Sequence, residues 1–571
     1  MPRLRGLVAL VCSTALLGVC LHAAAPAPVA DASMRRDLDT VRTLLRQGAD
    51  VNAAQGDGMT ALHWAATHGD AALTETLLYA GANVKATSRL GRYTALHVAS
   101  QNGAPTVVTA LLARGADASA TTSTGATALM FAAQTGQVAA VTALLDARAV
   151  VNAVESAHGQ SALMFAATAD RAEVVALLVA RGATANLTSK VVNLATATSP
   201  GDGEGRAPEP QANSQNQTGG TVAVAARPAA RAVDIAGSTR PYRYNELIGA
   251  QGGLSALHLA ARQGAANAVH ALVDGGASVN LASPADGTTP LLIATLNGHF
   301  DLAMYLLEHG ADPNLASAAG AAPLYATLNV QWAPKAAYPQ PRAYLQQRTT
   351  YLALLTELLD RGADANARLS RKVWYSGYNF DQSGVDEGGA TPFWRAAYAS
   401  DVAAMRLLVD HGADPNIPSV RPAERTRGLD GVGELRDQSS VPPVPIGGPG
   451  VPVLHAVAGV GYGKGFAGNS HVFAPTGMMA AVTYLVEELG VDVNATDYEG
   501  NTVVHHAAAR GDLEMIKYLV AKGANVTRVN RAGQTTIDLA NGPVQRVQPF
   551  PETIDYLASL GAKNNHKCVS C

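Results

Sequence analysis

The sequence predicts an all-α solenoid built from about twelve short helix pairs. Its 571 residues are 48% apolar, which excludes wholesale disorder. Aromatic residues make up only 5%, while glycine occurs 55 times, and such small side chains suit closely stacked short helices. The formal net charge of −3 excludes the strongly basic surface that is typical of nucleic-acid binding, so we expect no nucleic-acid partner.

A sequence period of 33 or 34 residues is the strongest of these observations. The segment Thr60 to His63 is followed by Gly81, and the segment Thr94 to His97 is followed by Gly115, after the same interval. The predicted second helices end at Gly48, Gly81, Gly115, Arg148, Gly182, Gly276, Gly310, Gly362, Gly412, Gly490, Gly523 and Gly561.

The chemistry of each unit explains where its helices begin and end. Thr or Ser caps the first helix by accepting from a free backbone N–H group. Proline follows in several units, for example Pro290 and Pro392, at a position where its missing N–H is not needed. Glycine then ends the helix in a left-handed conformation. Each helix is marginal alone, so neighbouring units must stack to stabilise one another.

The order Thr-Ala/Pro-Leu-His, then Leu-Leu, then Gly-Ala-Asp-Val-Asn, resembles the ankyrin repeat. The resemblance implies helix–turn–helix pairs with projecting β-hairpin fingers, and protein binding rather than catalysis. One histidine slot recurs in several units, and we interpret it as a structural histidine that bonds its own loop; a metal-binding array is the alternative. The slot holds His63, His97, His258, His455 and His505.

The first 25 residues have the pattern of a secretory signal peptide. Arg3 and Arg5 precede an uncharged apolar run over residues 6–21, and small residues follow at 23–25. This run is shorter than the ~20 residues that span a bilayer, so we expect no stable membrane span. The protein is therefore expected to be periplasmic or secreted.

Long insertions divide the predicted array. The expected order is a signal peptide (1–25), repeats 1–5 (26–187), a largely flexible insertion (188–250), repeats 6–9 (251–417, with insertions 329–348 and 368–388), a linker insertion (418–450), repeats 10–12 (451–562, with insertion 459–476) and a Cys-x-x-Cys tail (563–571).

The insertions contain 12 of the 29 Phe, Trp and Tyr residues, so part of this material is expected to fold or to bind. Ser199 to Arg231 has no aromatic residue and is predicted to be a flexible loop. Six aromatic side chains elsewhere in the insertions are candidate partner-binding residues. The alternative for segment 368–388 is a local core that covers the stack, and the segment Arg240 to Tyr244 is expected to pack back on the array. The candidates are Trp374, Tyr375, Tyr378, Phe380, Tyr242 and Tyr244.

The tail contains the most specific chemical motif of the sequence. His566, Cys568 and Cys571 lie in Lys-Cys-x-x-Cys, which resembles the start of the c-type cytochrome haem attachment motif. That motif needs a histidine directly after Cys571, and without it we expect no cofactor. A Cys-x-x-Cys that oxidises to a disulfide, a weak metal site with His566, and an inert tail remain open.

No catalytic motif is recognisable, and Gly463 to Gly468 lacks the strand and helix that a dinucleotide-binding loop requires. We therefore expect an exported, monomeric scaffold that is not an enzyme. It would bind an unidentified protein through its concave face and extended fingers. The alternative from another class is the docking arm of a larger periplasmic haem or electron-transfer protein.

Overall fold

The computed structural model describes residues 26–195, 235–332, 342–373, 385–423, 437–462, 474–475, 477–542 and 548–568. The predicted signal peptide lies outside these residues, as does all of the predicted flexible loop from Ser199 to Arg231. The chain divides into two compact units, which meet in sequence at Val150 and Val151. Unit 1 denotes the residues up to Val150, and unit 2 those from Val151.

Unit 1 contains four helix pairs in its described residues. They are α1 (Pro28–Met34) with α2 (Leu38–Arg46), α3 (Ala61–His68) with α4 (Ala71–Tyr79), α5 (Ala95–Gln101) with α6 (Pro105–Ala113), and α7 (Ala128–Thr135) with α8 (Val138–Asp146).

Unit 2 contains eight more pairs in its described residues, together with one short extra α-helix, a 3-10 helix (Ala343–Gln346), a π-helical stretch (Tyr484–Glu488) and one two-stranded sheet. The elements are α9 (Ala162–Thr168), α10 (Ala172–Ala180), β1 (Val191–Asn193), α11 (Tyr244–Ile248), β2 (Ala250–Gly252), α12 (Ala256–Gln263), α13 (Ala266–Asp274), α14 (Pro290–Leu296), α15 (Phe300–Glu308), α16 (Pro323–Trp332), α17 (Tyr351–Asp360), α18 (Pro392–Tyr398), α19 (Val402–Asp410), α20 (Val453–Val457), α21 (Gly477–Thr483), α22 (Val503–Ala509), α23 (Leu513–Ala521), α24 (Thr536–Ala540) and α25 (Pro551–Ser559).

These twelve pairs confirm the predicted helical class, and the caps follow the predicted chemistry. The Thr94 hydroxyl accepts from the backbone N–H of His97 at the start of α5. Gly69, Gly136 and Gly264 end first helices in the left-handed conformation. The core consists mainly of Ala, Leu and Val, so within each unit neighbouring thin helix pairs bury an apolar seam against one another.

A row of asparagines joins successive repeats. In unit 2, the Asn366 side chain donates to Gly412 O at 2.9 Å and accepts from Asp414 N at 2.8 Å. The Asn280 and Asn314 side chains make the same pair of bonds to the repeats that follow them. Each bridge satisfies backbone groups that a helix end would otherwise leave unpaired.

The described parts of the insertions pack against the repeats. Strand β1 pairs antiparallel with β2, with Val192 opposite Gln251. Residues 437–449 belong to the stretch that we expected to act as a linker, but Gln438 N donates to Arg531 O at 3.3 Å and thereby joins this stretch to a finger. In the part of the chain that the structure describes, no helix is long and apolar enough to span a bilayer.

Candidate partner-binding surfaces

His63 and His258, two of the recurring histidines, bind their own helix and the next finger. In His63, Nδ1 accepts from the Thr60 backbone N–H at 3.2 Å, and Nε2 lies 2.9 Å from Tyr93 O. In His258, Nε2 lies 3.0 Å from Thr288 O. These bonds require a neutral ring that carries its proton on Nε2, which confirms the structural interpretation for these two histidines.

Burial lowers the pKa of these imidazoles because the charged form loses its hydration. The pKa of His455 falls to about 4, first through burial and then through repulsion by the His506 ring. The pKa of His505 falls to about 4 for the same two reasons. His506 lies 2.9 Å from the Asp497 carboxylate. Burial alone would raise the pKa of Asp497, but the hydrogen bond and charge of His506 hold it below its ordinary value.

His455 departs from the pattern because its helix begins after Pro452 instead of Thr or Ser. Proline has neither a backbone N–H nor a hydroxyl group. Among the described residues, the buried Nδ1 of His455 therefore has no hydrogen-bond partner, although Nε2 lies 3.1 Å from Asn501 O.

A hydroxyl at this cap is expected to stabilise the array. Pro452→Thr should be about 1 kcal/mol more stable than Pro452→Ala, since only threonine supplies both a cap and a partner for His455. The comparison with alanine removes the effect of proline on the unfolded chain. Urea denaturation followed by circular dichroism measures the difference, and equal midpoints for the two variants would contradict this role.

The first helices of unit 1 carry half-buried aromatic side chains. Trp64 lies on α3 and Phe131 on α7, and Tyr93 precedes α5. The Tyr93 and Phe131 rings stack with centroids 6.0 Å apart. The Trp64 Nε1–H donates to Gln55 at 2.8 Å. We call Trp64, Tyr93 and Phe131 the aromatic strip; it combines fixed orientation with partial exposure, as binding anchors do.

The later first helices of unit 2 differ, because every residue of α18, α20 and α22 is buried. The Trp394 indole donates to Val451 O at 2.9 Å, and the Arg395 Nε donates to Asn329 at 3.0 Å. These three helices therefore offer no exposed side chain to a partner. Binding through the concave face and the extended fingers therefore stays a prediction for the other parts of the array.

Asp401 is the centre of a buried polar cluster beside these helices. One carboxylate oxygen accepts from the Trp332 indole at 2.9 Å and from the Tyr351 hydroxyl at 2.8 Å. The other oxygen caps α19 by accepting from Ala404 N. Burial and the Asp401 charge raise the pKa of Tyr351, so its hydroxyl remains a donor.

The aromatic candidates of the insertions have different positions. Arg371 lies over the half-buried Tyr242 ring, 5.5 Å from its centroid, and Tyr244 is 41% exposed. In the same segment, Arg240 pairs with Glu246 at 2.6 Å and lowers the pKa of that carboxyl to about 2. Trp374, Tyr375, Tyr378 and Phe380 lie outside the described residues.

Arginine side chains hydrogen-bond to backbone carbonyl groups of the fingers and inserted segments of unit 2. Arg368 donates to Gly389 O and Pro418 O at 2.8 Å each. Arg421 donates to Val444 O. Arg531 donates to Pro442 O at 2.6 Å and to Tyr498 O at 2.8 Å. These bonds hold the inserted segments rigidly against neighbouring fingers.

The tail folds back over the last finger. Asp538 replaces histidine in the repeated slot and accepts from Thr535 N at 2.9 Å and from Asn565 N at 3.1 Å. The pattern Thr-x-x-Asp was a sequence signal for this cap, because a carboxylate accepts from backbone N–H groups where histidine contacts a carbonyl.

The motif residues of the tail lie partly within the structure. Cys568 is part of a disulfide, and the other three cysteines of the chain lie outside the described residues. A haem thioether bond would need that sulfur as a free thiol, so the disulfide would have to be reduced first. His566 is exposed, and the described residues contain no group of three or more metal-ligating side chains.

Stacked helix pairs with rigid fingers and a half-buried aromatic strip define a repeat protein of the interaction-scaffold class. Ankyrin family models match more than half of the chain, so the chain belongs to the ankyrin repeat family. The matches are described as ankyrin repeats (3 copies) at 29–122, 96–189 and 239–317, ankyrin repeats (many copies) at 470–520 and 507–548, and ankyrin repeat at 388–420.

Three similar proteins match segments of 64 to 95 residues of this chain. The Ankyrin repeat and LEM domain-containing protein 1 homolog of Caenorhabditis elegans is 44% identical over 64 residues, which are 11% of this chain and 9% of that protein. Protein phosphatase 1 regulatory subunit 12A of Rattus norvegicus is 34% identical over 95 residues, 17% of this chain and 8% of that protein. Ankyrin repeat domain-containing protein 37 of Homo sapiens is 36% identical over 70 residues, 12% of this chain and 44% of that protein.

Proposed function

We propose that this chain is an exported, non-catalytic scaffold that binds another protein through unit 1. The aromatic strip carries this proposal, because Trp64, Tyr93 and Phe131 are held in place yet remain partly accessible. Aromatic side chains of this kind contribute much of the binding energy at protein interfaces. The ankyrin family supports a binding role, while fold alone does not choose the partner.

Export is supported by the basic and apolar pattern of the first 25 residues. Fractionation of the native host, followed by mass spectrometry of the amino terminus, tests it. We expect a mature protein outside the cytoplasm that begins near residue 26. A cytoplasmic protein that retains Met1 would contradict export and leave the binding proposal intact.

Site-specific cross-linking in the native host tests the binding surface. A photoreactive amino acid at Val98, which is half-buried on α5, is expected to yield one dominant cross-linked protein. The matched control is Tyr79, which is 87% exposed on the second helix α4. The same products from both positions, or no product from Val98, would overturn the proposed surface.

A further inference from the structure

We propose that the inner surface of unit 1 binds an extended acidic segment of a partner protein. The carboxylates of that segment would pair with Arg89 and Arg92, and its apolar side chains would contact Leu90. This inference rests on the proposed binding function and specifies the chemistry of the partner. The site is the finger tip formed by residues 88–93, together with the aromatic strip.

The finger tip is rigid because its own backbone is closed by hydrogen bonds. Ser88 N donates to Tyr93 O at 2.8 Å, and the Ser88 hydroxyl donates to Leu90 O at 2.7 Å. Arg92 has a φ of 54°, and Gly91 a φ of 77°, so the turn requires two left-handed residues in succession. A surface that is ordered before binding loses less conformational entropy when a partner arrives.

Neighbouring fingers hold this tip from both sides. Arg89 N donates to Asp57 O at 2.8 Å, and Ser123 N donates to Gly91 O at 2.8 Å. A Cβ atom on Gly91 would lie 2.4 Å from the Tyr93 ring. The ring therefore packs directly against the backbone of the tip, which connects the tip to the aromatic strip.

The tip exposes two cations around one apolar side chain. Leu90 is 76% exposed, and Arg89 and Arg92 are exposed on either side of it. The described structure contains no ion pair and no side-chain hydrogen bond for either guanidinium group. In contrast, the finger arginines Arg368 and Arg531 of unit 2 already donate to backbone carbonyls.

The acids on this surface do not neutralise the two arginines. The Asp57 carboxylate accepts from Met59 N at 2.9 Å, and the Asp31 carboxylate accepts from Gln55 at 2.6 Å. Two unpaired guanidinium groups favour carboxylates, which they bind through paired hydrogen bonds. The local charge thus predicts an acidic partner, although the whole chain has a net charge of −3.

Fluorescence anisotropy of the full mature chain tests this proposal. The probe is a fluorescein-labelled peptide of alternating glutamate and leucine, compared with the same peptide carrying glutamine for glutamate. We expect the glutamate peptide to bind more tightly and to weaken as salt screens the charges. Arg89→Glu combined with Arg92→Glu should weaken it roughly tenfold or more, since rim charges are replaced by repulsive ones.

The matched control is Arg46→Glu combined with Arg114→Glu, which makes the same charge change at exposed positions at the ends of the second helices α2 and α6. It should leave the affinity for the glutamate peptide nearly unchanged, and circular dichroism checks that both variants fold. Equal binding of the glutamate and glutamine peptides, or equal losses in the two variants, would overturn the proposal.

Two further measurements distinguish this proposal from a nucleic-acid partner and from protein binding without acidic specificity. A single-stranded oligonucleotide that binds as tightly as the glutamate peptide, and is lost in the Arg89 and Arg92 variant, would overturn the assignment to a protein partner. If the cross-link from Val98 persists in that variant, the binding function stands and the acidic specificity is wrong. Loss of the cross-link in that variant supports the proposal.

Discussion

Replacing Asp401 with alanine is expected to lower the free energy of unfolding by about 4 kcal/mol. Two buried donors, the Trp332 indole and the Ala404 N–H, lose their acceptor together with the half-buried Tyr351 hydroxyl. Each buried donor that is left unpaired costs about 1–3 kcal/mol. No nearby group replaces the carboxylate, since Asp401 itself is only 2% exposed.

Asp512 provides a matched control in the same unit. It caps α23 by accepting from Met515 N at 3.1 Å, and it is only half-buried. Asp512→Ala should therefore cost about 1 kcal/mol, the usual value for a lost helix cap. Urea denaturation followed by circular dichroism and tryptophan fluorescence compares the two variants. Equal losses would mean that Asp401 acts as a cap alone and that the buried cluster contributes little.

Acidification from pH 6.5 towards pH 4 is expected to destabilise unit 2 strongly. His455 and His505 are neutral in the folded chain with pKa values of about 4, whereas an unfolded histidine titrates near 6.5. In this window the unfolded chain takes up protons that the folded chain does not, so folding stability falls as the pH falls. The two groups contribute about 3 kcal/mol each, and this contribution is fully present above pH 6.5.

Thermal melting at a series of pH values between 7.5 and 4 measures this loss, and NMR titration of the imidazole signals identifies the groups. His505→Gln should flatten the pH dependence by removing one of the two titrating rings. His270→Gln is the control, because His270 is exposed on α13 and its loss should leave the pH dependence unchanged. A melting temperature that stays constant from pH 7.5 to 5 would show that these rings are not buried in neutral form.

The period predicted the twelve helix pairs because capping, helix ends and the apolar seam are all set within one unit. Thr94 and Gly69 act locally, so their roles can be read from a few neighbouring residues. The histidine slot was predictable for the same reason. The Asp538 cap was equally visible in the sequence. Its second role, accepting from Asn565 N in the tail, depends on the tail folding back onto it.

Sequence reasoning selected the aromatic residues of the insertions as the binding candidates and overlooked the aromatic strip. Trp64 and Phe131 sit in first helices, where aromatic residues at helical spacing usually belong to a core. Arg89 and Arg92 look like ordinary charged loop residues in the sequence. Their free guanidinium groups distinguish them from Arg368, whose partner Pro418 lies far along the chain.

The sequence by itself determined the repeat, its caps and its family, because these depend on contacts between residues less than one period apart. Only the tertiary structure decided which surfaces stay accessible. Burial of α18 and the environment of Asp401 depend on segments brought together from distant repeats and insertions. Exposure is a property of the packed chain, so no local pattern could show that unit 1 retains the open aromatic strip.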